Sequence, residues 1–202
     1  MEPLTVPAYT LLDSDTVTAP SGATLYRIQY ADGTHGGYLQ STANLNSSSN
    51  ARVSGNAQVF GDAQVFGDAQ VFGDAQVSDD AWVSGNAWVS GNARVSGNAW
   101  VSGNAQVSDD AWVSGNARVS GNAWVSAPEH CFTAGPLGSR ATTLTVCRDK
   151  ILGVSYVTGC FFGSRESFVA AVEAEHGNTP YGNAYAAAVM LADHVVPPYT
   201  WE

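Results

Sequence analysis

The run from Ala51 to Pro128 reads ARVSGN AQVFGD AQVFGD AQVFGD AQVSDD AWVSGN AWVSGN ARVSGN AWVSGN AQVSDD AWVSGN ARVSGN AWVSAP, thirteen hexads without an insertion. Alanine opens every hexad from Ala51 to Ala123, and valine fills the third place from Val53 to Val125. The fourth place is Ser except at Phe60, Phe66 and Phe72; the fifth is Gly except at Asp79, Asp109 and Ala127. The sixth is Asn or Asp until Pro128 ends the series. A repeat of six excludes an amphipathic helix, whose apolar residues return every 3.6. Ala and Val stand two apart, so an extended segment turns both to one side. The following Gly-Asn or Gly-Asp supplies backbone that accepts a sharp corner. Three such sides close a triangular coil of eighteen residues, and the run therefore builds a little over four coils of a parallel β-helix.

Valine fills the interior of each flat side and alanine the narrow space beside each corner. Hexads three apart stack, which sorts the outward residues into three columns. One holds Arg52, Gln70, Trp88, Gln106 and Trp124; the second holds Gln58, Gln76, Arg94 and Trp112; the third holds Gln64, Trp82, Trp100 and Arg118. Five outward Trp and the band of Phe60, Phe66 and Phe72 exceed what an ordinary solvated surface carries. They read either as stacked ladders along the solenoid or as an interface with another subunit, a partner protein or a docked domain. The corner carboxylates Asp62, Asp68, Asp74, Asp80 and Asp110 read as turn residues, since they do not converge as calcium ligands must.

Residues 1–50 read as a small β-rich cap, with a strand over 24–30, a turn at Asp32-Gly33 and a short strand from Gly36 to Leu39. A cap of this kind covers the open edge of a solenoid end. Residues 129–202 read as a ββαα unit: a hairpin of 141–148 and 151–158 about Asp149-Lys150, then a tight connection over 159–163. A helix capped by Ser164 then ends at Gly177, and a second follows Thr179-Pro180, with Tyr185, Ala188, Val189 and Ala192 on one face. Such a unit must bury its faces against something.

The segments Leu25-Tyr26-Arg27-Ile28, Gly36-Gly37-Tyr38 and Asn44-Leu45, the hexads, and then Gly135-Pro136-Leu137-Gly138-Ser139-Arg140, Gly159-Cys160-Phe161 and His176-Gly177 are similar to a family of phage and prophage hexapeptide-repeat proteins. The likeness spans nearly the whole chain. It implies a phage origin and a β-helix carrying a C-terminal module, and lends no particular activity. The left hand of the helix likewise comes from resemblance to hexapeptide-repeat β-helices, with Val in the aliphatic slot and Ala in the small one, and not from the period.

Eight Lys and Arg against eighteen Asp and Glu leave a net charge of −10, which argues against nucleic acid as a direct partner and against an anionic membrane surface. No apolar run reaches a membrane span, and residues 1–15 lack the basic and apolar parts of a signal peptide. Three cysteines, Cys131, Cys147 and Cys160, are odd in number and lack metal-ligand spacing, which reads as reduced thiols in a cytoplasm, that of the host if the chain is phage-encoded.

Many hexapeptide-repeat enzymes are acyltransferases whose catalytic histidine sits on a loop between coils. Here the hexads contain no histidine: His35, His130, His176 and His194 all lie in the flanks. The histidine trio of a zinc carbonic anhydrase is missing too. Cys160, just before a helix, reads as a buried structural cysteine, with His176 about 18 Å away at the far end of that helix. No cofactor or metal is expected. Anion capture is better provided for: Ser139 and Arg140 in a glycine-rich stretch, and Ser164 and Arg165 at a helix N-terminus, could together grip a phosphate or carboxylate. Phe161, Tyr181 or a solenoid Trp would stack on a base. The expected function is therefore binding: an intracellular phage accessory protein that sequesters a host-derived, nucleotide-like ligand in an anti-defence role, assembled as a homo-oligomer, a trimer packed through Trp faces. The alternative is a scaffold that binds a host protein through Trp82, Trp88, Trp100, Trp112, Trp124 and the Phe band, or through acidic faces. A virion component is a third reading. Ice binding is disfavoured, because the outward residues are Gln, Trp and Arg rather than Thr.

Overall fold

The computed structural model describes residues 9–200, so the first eight residues of the stretch read for a leader, and Trp201, lie outside the described residues. Each hexad supplies one two-residue strand, from β4 (Arg52–Val53) to β16 (Trp124–Val125). The strands stack in parallel register at intervals of eighteen residues, as in Trp82↔Trp100↔Arg118 and Val83↔Val101↔Val119. The three sides carry the three columns read from the period. Every valine from Val53 to Val125 and every alanine from Ala57 to Ala123 is buried inside the prism. Each valine withdrawn from water contributes roughly 1.5–3 kcal/mol before chain entropy is set against it. Backbone N–H groups of one coil donate to carbonyls of the next at 2.8–3.1 Å, as Arg52 to Ala69 and Phe60 to Val77 do.

At the N-terminal end, β1 (Tyr9–Thr18), β2 (Thr24–Tyr30) and β3 (His35–Leu39) form an antiparallel meander. β1 was not evident in the sequence. β3 then runs parallel to the second hexad strand, with Leu39 opposite Val59, and Leu45 bridges Val65. Leu39 and Leu45 thus occupy valine places one turn ahead of Ala51. With these two sides added to the thirteen hexads the solenoid has about five turns, against a little over four from the repeats alone. The meander closes the open rung with Tyr9, Ile28 and Tyr30, and Tyr30 Oη both donates to the Val53 carbonyl and accepts from its N–H, each at 2.9 Å.

At the other end, β17 (Cys131–Leu137), β18 (Thr142–Asp149), β19 (Gly153–Thr158) and β20 (Phe161–Ser164) form an antiparallel sheet, followed by α1 (Arg165–His176) and α2 (Pro180–Val195). The helices begin and end where their caps place them: Ser164 and Thr179 accept at the N-termini, and Gly177 stops α1. The ββαα reading is corrected to ββββαα. β17 contains Gly135-Pro136 and is an edge strand, where proline is tolerated. β20 is only four residues long and reads as a connection.

β18 explains how the unit is seated. Leu144 and Val146 face the helices and join Tyr156, Phe168, Tyr185, Ala188, Val189 and Ala192 in one core. The alternate residues face the solenoid: Cys147 packs into its core, Thr145 Oγ1 accepts from the Arg118 N–H at 3.0 Å, and Asp149 pairs with Ala123. The C-terminal unit therefore caps the last coil.

The reading of three reduced thiols is also corrected. The β17–β18 register sets Cys131 opposite Cys147, their Cα atoms 4.2 Å apart, and the two form a disulfide. Cys160 is left as the free thiol, and it is exposed rather than buried. Among the described residues, no helix is long and apolar enough to cross a membrane.

Candidate functional site

A cleft of about 110 Å³ opens where the turns of the C-terminal sheet meet the end of α1. Ser139 and Arg140 come from the β17–β18 turn, and Gly159 and Cys160 from the β19–β20 turn. Thr142 and Thr158 join the two turns through hydroxyls 2.9 Å apart. Phe161, Phe168 and Tyr185 supply aromatic walls, with Phe161 and Phe168 edge to face at 5.2 Å. Glu175 and His176 close the far rim. The His176 ring lies nearly parallel to Tyr185, 5.7 Å between centroids, and meets the edge of Tyr181 at 6.0 Å. Gly138, with φ +69°, lets the turn settle on Tyr185: a Cβ there would lie 2.5 Å from its hydroxyl.

Ser139, Arg140 and Phe161 thus share one cleft, while Ser164, Arg165 and Tyr181 do not line it. The Ser164 hydroxyl is spent as the N-cap of α1. Arg165 is held by Asp193 on α2, its Nε and Nη2 donating at 2.7–3.0 Å to both carboxylate oxygens. Tyr156 Oη adds a third donor to Asp193 at 3.2 Å. The Arg165 hydrogen bonds hold the Asp193 carboxyl below its ordinary range. Burial, and then the charge of Asp193, push the Tyr156 hydroxyl up to about 12. Arg165 therefore ties α1 to α2. Arg140, by contrast, is exposed, and among the described residues it has no ion-pair or hydrogen-bond partner. The guanidinium free for a ligand is the one on the turn.

His176, Glu175 and Tyr185 are site residues that sequence reasoning missed. Measuring 18 Å along α1 separated His176 from Cys160, but β20 intervenes. The chain runs away from Cys160 along β20 and returns along α1, so the thiol and the imidazole line the same cleft. A Phe161-Phe162 pair directly after the Gly159-Cys160 turn was the available signal for that strand. No hydrogen bond joins Cys160 to His176 among the described residues, and no three His, Cys, Asp or Glu side chains there gather as a metal site.

The outward aromatics divide between ladder and docking. Phe66, Trp82 and Trp100 pack edge to face in sequence at 5.9 and 5.7 Å, and the Arg118 guanidinium lies 5.4 Å above Trp100. Phe72 packs on Trp88 at 6.0 Å, Phe60 is buried under the N-terminal meander, and Trp112 stays 60% exposed. Trp124 is the docking platform: Tyr199 meets it at 5.0 Å, and Arg148 and Lys150 lie over its ring at 5.1 and 5.0 Å.

The joint beside Trp124 holds His130. Arg148 Nη1 lies 3.0 Å from His130 Nε2, and on the other side of the ring the Ser126 N–H donates to Nδ1 at 3.2 Å. Burial, then the Arg148 charge, lowers the His130 pKa.

Residues 75–91, 87–103 and 111–127 match the family model described as the YdcK beta solenoid repeat. These residues lie wholly within the hexads, and together with the stacked strands they place the repeats among β-solenoids. No curated protein matches the chain.

Proposed function

We propose that this chain is a non-catalytic binding protein that takes up a small phosphorylated, nucleotide-like ligand at the Arg140 cleft. Arg140 carries the reading: an exposed guanidinium with no partner among the described residues, beside a serine, at the mouth of an aromatic-walled cleft. Arg140 would hold the phosphate by charge-assisted hydrogen bonds with Ser139 adding a donor, and Phe161 and His176 offer ring surface to a base. Similarity to phage hexapeptide-repeat proteins supports the biological setting, sequestration of a host-derived signal as an anti-defence measure. The absence of histidine from every hexad favours capture over acyl transfer.

Thermal-shift measurements across a panel of mono-, di- and cyclic nucleotides and sugar phosphates test this. At least one compound should raise the melting temperature of the wild type, and Arg140→Ala should weaken its binding by about tenfold to a hundredfold. A shift that persists in Arg140→Ala would move the ligand elsewhere. The scaffold reading is favoured by one feature, the exposed column of Trp82 and Trp100 on one side of the solenoid. It expects Trp82→Ala or Trp100→Ala to abolish capture of a host protein with ligand effects absent.

A further inference from the structure

One side of the solenoid carries a groove lined almost wholly by polar groups. There β8 (Gln76–Val77), β11 (Arg94–Val95) and β14 (Trp112–Val113) pair in parallel, so Gln76, Arg94 and Trp112 stand in register on consecutive rungs. Two residues before each of them comes a corner side chain, Asp74, Asn92 and Asp110. The two columns line a groove of about 480 Å³, with Pro128 at its end, and it shares no residue with the Arg140 cleft. We propose that this groove is a second binding site, one that takes an uncharged oligosaccharide.

Two of its groups are unengaged. Trp82, Trp88, Trp100 and Trp124 each pack against another aromatic ring. Trp112 is the solenoid tryptophan with no ring or cation contact among the described residues, and it is the most exposed of the five. Its place in the column accounts for this: Arg118 on the next rung lies over Trp100, whereas no rung follows Trp112 in its sheet. Arg94, one rung before, has no ion pair or hydrogen bond among the described residues. The corner carboxylates are oriented from the side. Asn56 donates to Asp74 Oδ1 and Asn92 to Asp110 Oδ1, each at 3.1 Å, which leaves the second oxygen of each for a ligand.

The donor set selects the ligand. Asp74 and Asp110 only accept, Arg94 only donates, and the amides of Gln76 and Asn92 do both. A phosphate at Arg94 would face both carboxylates, and a basic chain laid on the carboxylates would face Arg94. An apolar partner would bury five polar residues without hydrogen bonds, at a cost for each. A sugar hydroxyl donates and accepts at once, so neighbouring hydroxyls satisfy carboxylate, amide and guanidinium together. The C–H face of a pyranose is apolar and positively polarised, which suits the negative face of the open Trp112 indole. Length agrees as well. Three strands at roughly 4.8 Å spacing span about 10 Å, the length of a disaccharide.

A glycan array of neutral mono- to tetrasaccharides, followed by isothermal titration calorimetry with the best binder, tests the proposal. At least one neutral glycan should bind the wild type. Trp112→Ala and Arg94→Ala should each weaken it about tenfold or more, while Trp112→Phe keeps most of the affinity. Both side chains are exposed, so all three variants should retain the wild-type circular dichroism. Arg140→Ala should bind the glycan as the wild type does, which separates this site from the nucleotide reading. An array without a neutral binder overturns the proposal. So does binding that survives Trp112→Ala, or binding lost on Arg140→Ala, which would move the sugar to the cleft. A preference for sulfated or phosphorylated glycans over their neutral parents would make Arg94 an anion site and overturn it equally.

Discussion

At Gly37 the backbone of β3 lies so close to the first hexads that a Cβ would stand 2.4 Å from the Ala57 carbonyl oxygen and 2.8 Å from Val53 Cγ1. Neither neighbour can withdraw, because one is backbone held in the coil and the other is packed in its interior. Gly37→Ala should cost at least about 2 kcal/mol, read as a lower urea midpoint at unchanged slope. Gly33, at φ +84° with open space around it, is the contrast: Gly33→Ala should cost only the left-handed backbone term, about 1 kcal/mol. The same scale shows what the chain alone could reveal. Turn glycines are legible because a corner demands them. The Gly36-Gly37 pair was legible as the lead into a strand, while its close approach depends on a partner sixteen to twenty residues away. Likewise Arg165 carried the same charge as Arg140 on paper, and only the position of Asp193 on α2 shows which is engaged.

Among the elements, legibility followed periodicity. The unbroken spacing of six over thirteen hexads dictates which strands stack, so the period alone sorts all three sides. β17 and β20 have no such redundancy: one contains Gly135-Pro136, the other is four residues long, and both owe their strand geometry to pairing with β18 and β19. The cleft inherits that difficulty, since overlooking β20 reverses the direction of α1 relative to Cys160. The joint between solenoid and C-terminal sheet yields a prediction of its own. His130 titrates lower in the folded protein than in the unfolded chain, because burial and Arg148 oppose its charge. The unfolded state therefore binds the proton first, and stability falls as the pH drops through about 6.5 toward the folded value. The melting temperature should decline between pH 7.5 and 5.5, and His130→Gln should flatten that decline. Asp193, whose folded pKa is depressed, adds its own loss only at more acid pH, so the two windows separate. An equal slope in wild type and variant would remove His130 from the account.

The whole molecule is a prism closed at both ends, by the Tyr9, Ile28 and Tyr30 layer at one and by β18 at the other. An uncapped coil presents unpaired strand edges, which recruit other chains. Removing residues 129–202 should turn a well-behaved solution into a concentration-dependent scatterer, visible by dynamic light scattering at a few micromolar. A monodisperse truncated solenoid would show that β18 is dispensable as a cap. The C-terminal unit thus closes the solenoid, and its exposed turns form the cleft on which the functional proposal rests. Native mass spectrometry of wild type and Arg140→Ala, purified from phage-infected cells and then mixed with an excess of the nucleotide panel, tests that proposal most directly. The account predicts a discrete added mass on the wild type, released on denaturation and missing from Arg140→Ala. Identical bare masses for both proteins, before and after the panel is added, would contradict it.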